Sequence, residues 1–79
     1  MEEKNIIGRK IRIARIMKKN VMRQKDLLAK LDLIGVHFSE ATLSKIEAGT
    51  RFVKDYEVVA FAKALNVSAN WLLGMDDEN

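Results

Sequence analysis

Seventy-nine residues, 48% of them apolar, suit one folded domain with a small core. The chain has no Cys, which excludes a disulfide framework and thiolate metal ligation and fits a reducing compartment. Its net charge of +3 is unevenly placed: residues 1–30 hold ten Lys or Arg against three acids, a net of +7, and residues 31–79 hold four against eight, a net of −4. Such a basic half can attract an anionic polymer, although a solvated helix face has the same composition. No segment approaches the roughly 18 consecutive apolar residues of a membrane span. The opening MEEKN is acidic and lacks the apolar stretch of a signal peptide. The expected location is the cytoplasm, with no membrane partner.

Five helices are expected. The first covers about Asn5 to Lys19: Ile7, Ile11 and Ala14 share a face that Ile6, Ile13 and Met17 widen, and Arg9, Arg12 and Arg15 lie opposite or flanking. Asn20 is its expected stop. The second covers about Gln24 to Leu33, with Leu27, Leu28 and Leu31 as its apolar face and Gly35 just past its end. Val36, His37 and Phe38 then lead to Ser39, an expected N-cap for a third helix that Gly49 stops. On that third helix Thr42, Leu43 and Ile46 fall to one side. Glu40, Ala41, Ser44, Lys45 and Ala48 fall to the other. A fourth helix runs from Asp55, its expected cap, to Leu65. Its expected buried stripe is Val58, Val59, Phe61, Ala62 and Leu65. Ser68 caps a short fifth helix holding Trp71, Leu72 and Leu73, followed by an acidic tail, residues 75–79. Neither an internal repeat nor a linker divides the chain, so residues 1–79 read as one domain with its core at about 5–74.

Two short helices with a Gly between them suit a helix-turn-helix, in which the second helix enters the major groove of DNA. The outer face of the third helix is slim and polar enough for that. Ala41 can touch a thymine methyl, Ser44 can donate or accept, Lys45 can reach a guanine edge or a phosphate, and Glu40 can accept from cytosine. Each of these residue types is also ordinary on a helix surface, and an acid at Glu40 is favoured by the helix dipole alone.

Four segments together resemble the Xre or Cro-repressor-like family of phage-repressor-type helix-turn-helix regulators: IGRKIRIAR (7–15), QKDLLAKL (24–31), FSEATLSKIEAGTR (38–51) and AKALNVSANWLLG (62–74). The resemblance implies an all-α, five-helix bundle of the lambda-repressor kind, acting as a sequence-specific DNA-binding regulator of repressor type. It places Ala41, Ser44 and Lys45 toward bases; Glu40 stands where the family often has Gln, so its base contact rests on its own chemistry and not on the resemblance. Gln24 and Thr42 match phosphate-contacting positions, Arg51 matches a basic residue near phosphate, and Arg23 and Lys25 add charge beside Gln24. Arg15 and Glu47 match a structural salt bridge. The implied partners are a palindromic duplex operator and a second copy of the chain, with Trp71, Leu72 and Leu73 as dimer-facing candidates whose alternative is core packing. The connection DLIGVHFS is longer than the family's usual turn, which leaves the angle between the second and third helices open.

No Gly-rich phosphate loop, metal-ligand set or nucleophile–base pair is present, so neither an enzyme nor a cofactor is expected. The lone His37 has no Cys or acidic cluster to make a metal site. The alternative function is a protein-interaction module, such as the antitoxin of a toxin–antitoxin pair, that presents Ile6, Ile13, Ile16 and Met17 to its partner.

Overall fold

The computed structural model describes residues 2–75. Among them are five helices and no strand: α1 (Gly8–Ile16), α2 (Gln24–Ile34), α3 (Glu40–Ala48), α4 (Asp55–Leu65) and α5 (Ala69–Leu72). The all-helical reading and the count of five therefore hold. Of the expected acidic tail, residues 76–79 lie outside the described residues. No helix among those described is long and apolar enough to cross a membrane.

The first helix is shorter than its periodicity suggests. Asn5 is not helical. Its Oδ1 accepts from the backbone N–H groups of Ile7 and Gly8 at 3.0 and 2.8 Å, so the amide satisfies donors that a helix start leaves free. At the other end, α1 stops well before Asn20. The Arg15 carbonyl accepts from Met22 N–H at 3.0 Å, and Met22 is buried in the core. Turning the chain to seat Met22 ends the helix, and no left-handed asparagine is required there.

α2 and α3 both end in left-handed glycines. Gly35 has φ 97° and Gly49 has φ 82°. After each, the next N–H bonds back into the last turn: Val36 to the Leu31 carbonyl at 3.0 Å, Thr50 to the Lys45 carbonyl at 2.9 Å. The start of α3 is as expected, with Ser39 Oγ accepting from Thr42 N–H at 3.1 Å. The connection between these helices is packed against the body of the protein. Val36 and Phe38 are partly buried against the core, and the Phe38 ring stacks on Phe61 of α4 with centroids 5.7 Å apart.

α4 begins one residue earlier than a cap at Asp55 requires. Lys54 is the cap residue, and the buried carboxylate of Glu57 accepts from its N–H at 2.9 Å. The buried face of α4 is Glu57, Ala60, Phe61, Ala62, Ala64 and Leu65, with Val58 partly buried. Val59 is 47% exposed, contrary to expectation. Two positions from Phe61 is about 200° around a helix, so both cannot face the core, and the larger Phe61 occupies it. Ser68 caps α5 by accepting from Trp71 N–H at 2.9 Å.

One core unites the helices: Ile7 and Ile11 from the first helix and its lead-in, Leu27 and Leu31 from α2, Leu43 and Ile46 from α3, Phe61 and Leu65 from α4, and Leu72 from α5. Leu72 is completely buried, so it packs within its own chain and not toward a second copy; Trp71 and Leu73 are partly buried against the same core. Of the residues expected to widen the apolar face of α1, Ile13 is half-buried but Ile6 and Met17 are exposed.

Candidate nucleic-acid interface

α3 is held tightly from behind. Its inner residues Leu43 and Ile46 are fully buried. At the crossing with α1, a Cβ built on Gly8 would lie 2.1 Å from the Ile46 carbonyl oxygen, so the absence of a side chain lets the two backbones meet. The Asn5 amide then donates to the carbonyls of Ile46 at 3.1 Å and Arg51 at 2.9 Å, and Lys4 N–H donates to the Gly49 carbonyl at 2.7 Å. These bonds fix the C-terminal end of α3 and the segment that follows.

The outer side of the helix carries Ala41, Ser44, Lys45 and Ala48, all exposed. Their spacing of three, four and seven places them in one stripe along the helix. The stripe is narrow: two methyls, one hydroxyl and one lysine. Glu40 is exposed beside it in the first turn. Neither the Glu40 carboxylate nor the Lys45 ammonium is engaged in a hydrogen bond or ion pair among the described residues.

Beside the stripe, four polar side chains from three helices meet. Arg15 Nε donates to Glu47 Oε2 at 2.7 Å and Arg15 Nη2 to Glu47 Oε1 at 2.8 Å, a two-pronged pair with side chains only 10% and 7% exposed. Arg15 Nη1 donates to the Met22 carbonyl at 3.0 Å. Gln24 Nε2 donates to Glu47 Oε1 at 3.3 Å, and Ser44 Oγ lies 3.4 Å from Gln24 Oε1, the outer limit of a hydrogen bond. The expected pairing of Arg15 with Glu47 is thus present. It also couples Gln24, at the first turn of α2, to Ser44 on the α3 stripe.

The other residues expected to meet phosphate are dispersed. Lys25 is exposed, and its side chain has no hydrogen bond or ion pair among the described residues. Arg23 is exposed, with Nε 3.7 Å from Asp26 Oδ2. Thr42 is half-buried, and its Oγ1 accepts from the Ser39 hydroxyl at 3.1 Å. Arg51 is held by its own fold: Nη1 donates to the Phe52 carbonyl at 2.9 Å and to buried Glu57 at 3.3 Å, and the guanidinium sits 5.3 Å over the Phe38 ring. Much of its charge is therefore met within the protein, although its side chain is still 32% exposed.

Three contributors escaped the sequence reading. Asn5 lies just before a helix, a frequent place for a cap, but its bonds to Ile46 and Arg51 span 41 and 46 residues and leave no local pattern. Phe38 anchors the connection through Phe61 and Arg51, which its position in a loop does not signal. Glu57 appears in sequence as one more first-turn acid, yet it is buried between Lys54 and Arg51. Among the described residues no group of three or more His, Asp or Glu side chains is placed to hold a metal ion, and His37 Nδ1 instead lies 2.7 Å from Asp32 Oδ1 in an exposed pair.

No protein-family model and no curated protein matches the chain.

Proposed function

We propose that this protein binds duplex DNA in a sequence-specific way and acts as a transcriptional regulator of repressor type, similar to the Xre and Cro-repressor-like family. In this reading α2 and α3 form a helix-turn-helix, and the Ala41–Ser44–Lys45–Ala48 stripe lies in the major groove. That stripe is the observation that carries the proposal. A slim, polar, exposed face on a helix fixed from behind lets the backbone approach base edges closely. Ala41, Ser44 and Lys45 read bases, with Glu40 at the margin. Gln24, Thr42, Arg23 and Lys25 meet the phosphates that set register. Arg51 contributes only what remains of its charge beyond Glu57.

A palindromic operator requires two copies with half-sites about 34–36 Å apart, one helical turn. The dimer belongs to this proposal.

The test is binding to duplexes selected from a random pool, measured across a salt series. Affinity is expected to fall steeply with salt. Lys45→Ala is expected to cost about 1–3 kcal/mol on the selected sequence and to relax preference at one position. Salt-independent binding together with no effect of Lys45→Ala would refute the reading.

One observation favours a second reading, a protein-interaction module such as an antitoxin. Ile16 and Met17, at the end of α1, are 50% and 76% exposed, and Val21 beside them in sequence is exposed as well. Under this reading Met17→Ser abolishes capture of a protein partner and leaves DNA affinity unchanged.

A further inference from the structure

α1 and α3 leave a groove of about 320 Å³ between them, lined by Arg12, Arg15, Gln24, Ser44, Glu47 and Ala48. The charges in it are not equivalent. Every nitrogen of the Arg15 guanidinium is directed inward, Nε and Nη2 to Glu47 and Nη1 to the Met22 carbonyl. Both Glu47 oxygens are likewise occupied, and the pair cancels. Arg12 remains. It lies one turn before Arg15 on α1, is exposed, and makes no hydrogen bond or ion pair among the described residues. The groove therefore has one uncompensated positive charge, and that charge is a guanidinium, whose fork matches two phosphate oxygens.

We infer that this groove is a phosphodiester-binding subsite with Arg12 as its cation, an inference that rests on the DNA-binding reading above. Two of its walls, Ser44 and Ala48, belong to the exposed stripe of α3, so a strand running beside that stripe passes the mouth of the groove. Ala48 has only a methyl group there, which leaves the entrance open. The anion is the backbone of the duplex, and its binding is independent of sequence.

The experiment compares wild type, Arg12→Ala, Arg12→Lys and Arg9→Ala in salt-titrated binding to random-sequence duplex. Arg9 is an exposed arginine on the same helix that does not line this groove, so its variant controls for the loss of one charge. Arg12→Ala is expected to lower the slope of log affinity against log salt by about 0.9, one phosphate contact, whereas Arg9→Ala lowers it by much less. Arg12→Lys is expected to keep the slope and lose part of the affinity, because the charge remains without the fork. Equal effects of Arg12→Ala and Arg9→Ala, or none from either, overturn the subsite while DNA binding stands. If wild type itself shows no salt-dependent binding, the proposed function fails and the subsite with it. Thermal melts of the four proteins are expected to coincide, so that a lost contact is not confused with a lost fold.

Discussion

Glu47 shows how one residue serves both stability and the candidate interface. It neutralises the buried guanidinium of Arg15 and also accepts from the Gln24 amide. Glu47→Ala removes one partner of a buried ion pair and leaves the other charge without compensation, which costs about 3–5 kcal/mol. Urea denaturation is expected to show this as a lower midpoint with an unchanged slope. The double variant Arg15→Met/Glu47→Leu is expected to recover most of that loss, because no charge is then buried. If the double variant is as unstable as Glu47→Ala, the cost comes from packing and the electrostatic account fails. This pair was legible in sequence only through the family resemblance, since nothing local marks residues 32 positions apart as partners. Asn5 had no such help and was missed, although it bonds to both ends of the segment Ile46–Arg51.

Helix periodicity and stop residues located all five helices, and the errors lie at the two ends of α1 and on the face of α4. Asn5 and Met22 shorten α1 from both ends, and Phe61 turns Val59 outward on α4. Two glycines are glycine for opposite reasons. Gly8 lies in a helix, but a Cβ there meets the Ile46 carbonyl at 2.1 Å, and backbone yields only by moving α1 and α3 apart. Gly35 has φ 97° with open space around its missing Cβ. Gly8→Ala is expected to cost about 3 kcal/mol, at the upper end of overpacking costs, and to weaken DNA binding beyond what unfolding explains. Gly35→Ala is expected to cost about 1–2 kcal/mol, the penalty for a left-handed residue with a side chain, with DNA affinity per folded molecule unchanged. Unfolding curves combined with binding measured at saturating folded fraction separate the two. If Gly35→Ala alters the affinity, the packing of Phe38 on Phe61 does not fix the connection as described. The long DLIGVHF segment had left the aim of α3 open in sequence. Its anchor is a ring from α4, Phe61, which no pattern within the segment itself specifies.

At the scale of the molecule, the Cα radius of gyration is 11.7 Å, against about 11.6 Å expected for a compact domain of this length. A single core reached by every helix leaves no part able to unfold separately at much profit. Helix content followed by circular dichroism and the fluorescence of Trp71 are therefore expected to give one coincident denaturation curve. Trp71 is a useful reporter because it is half-buried on α5 with the Lys10 ammonium 5.0 Å from its ring centre. An earlier fluorescence transition would mean that α5 detaches first. The Asn5 amide adds a matter of timing. Its two carbonyl partners are made 41 and 46 residues after it. At roughly 5–20 residues per second, synthesis keeps the amide waiting for roughly 2–9 s. Until the last of those residues is made, the clasp that Asn5 forms between the beginning of the fold and its middle cannot close.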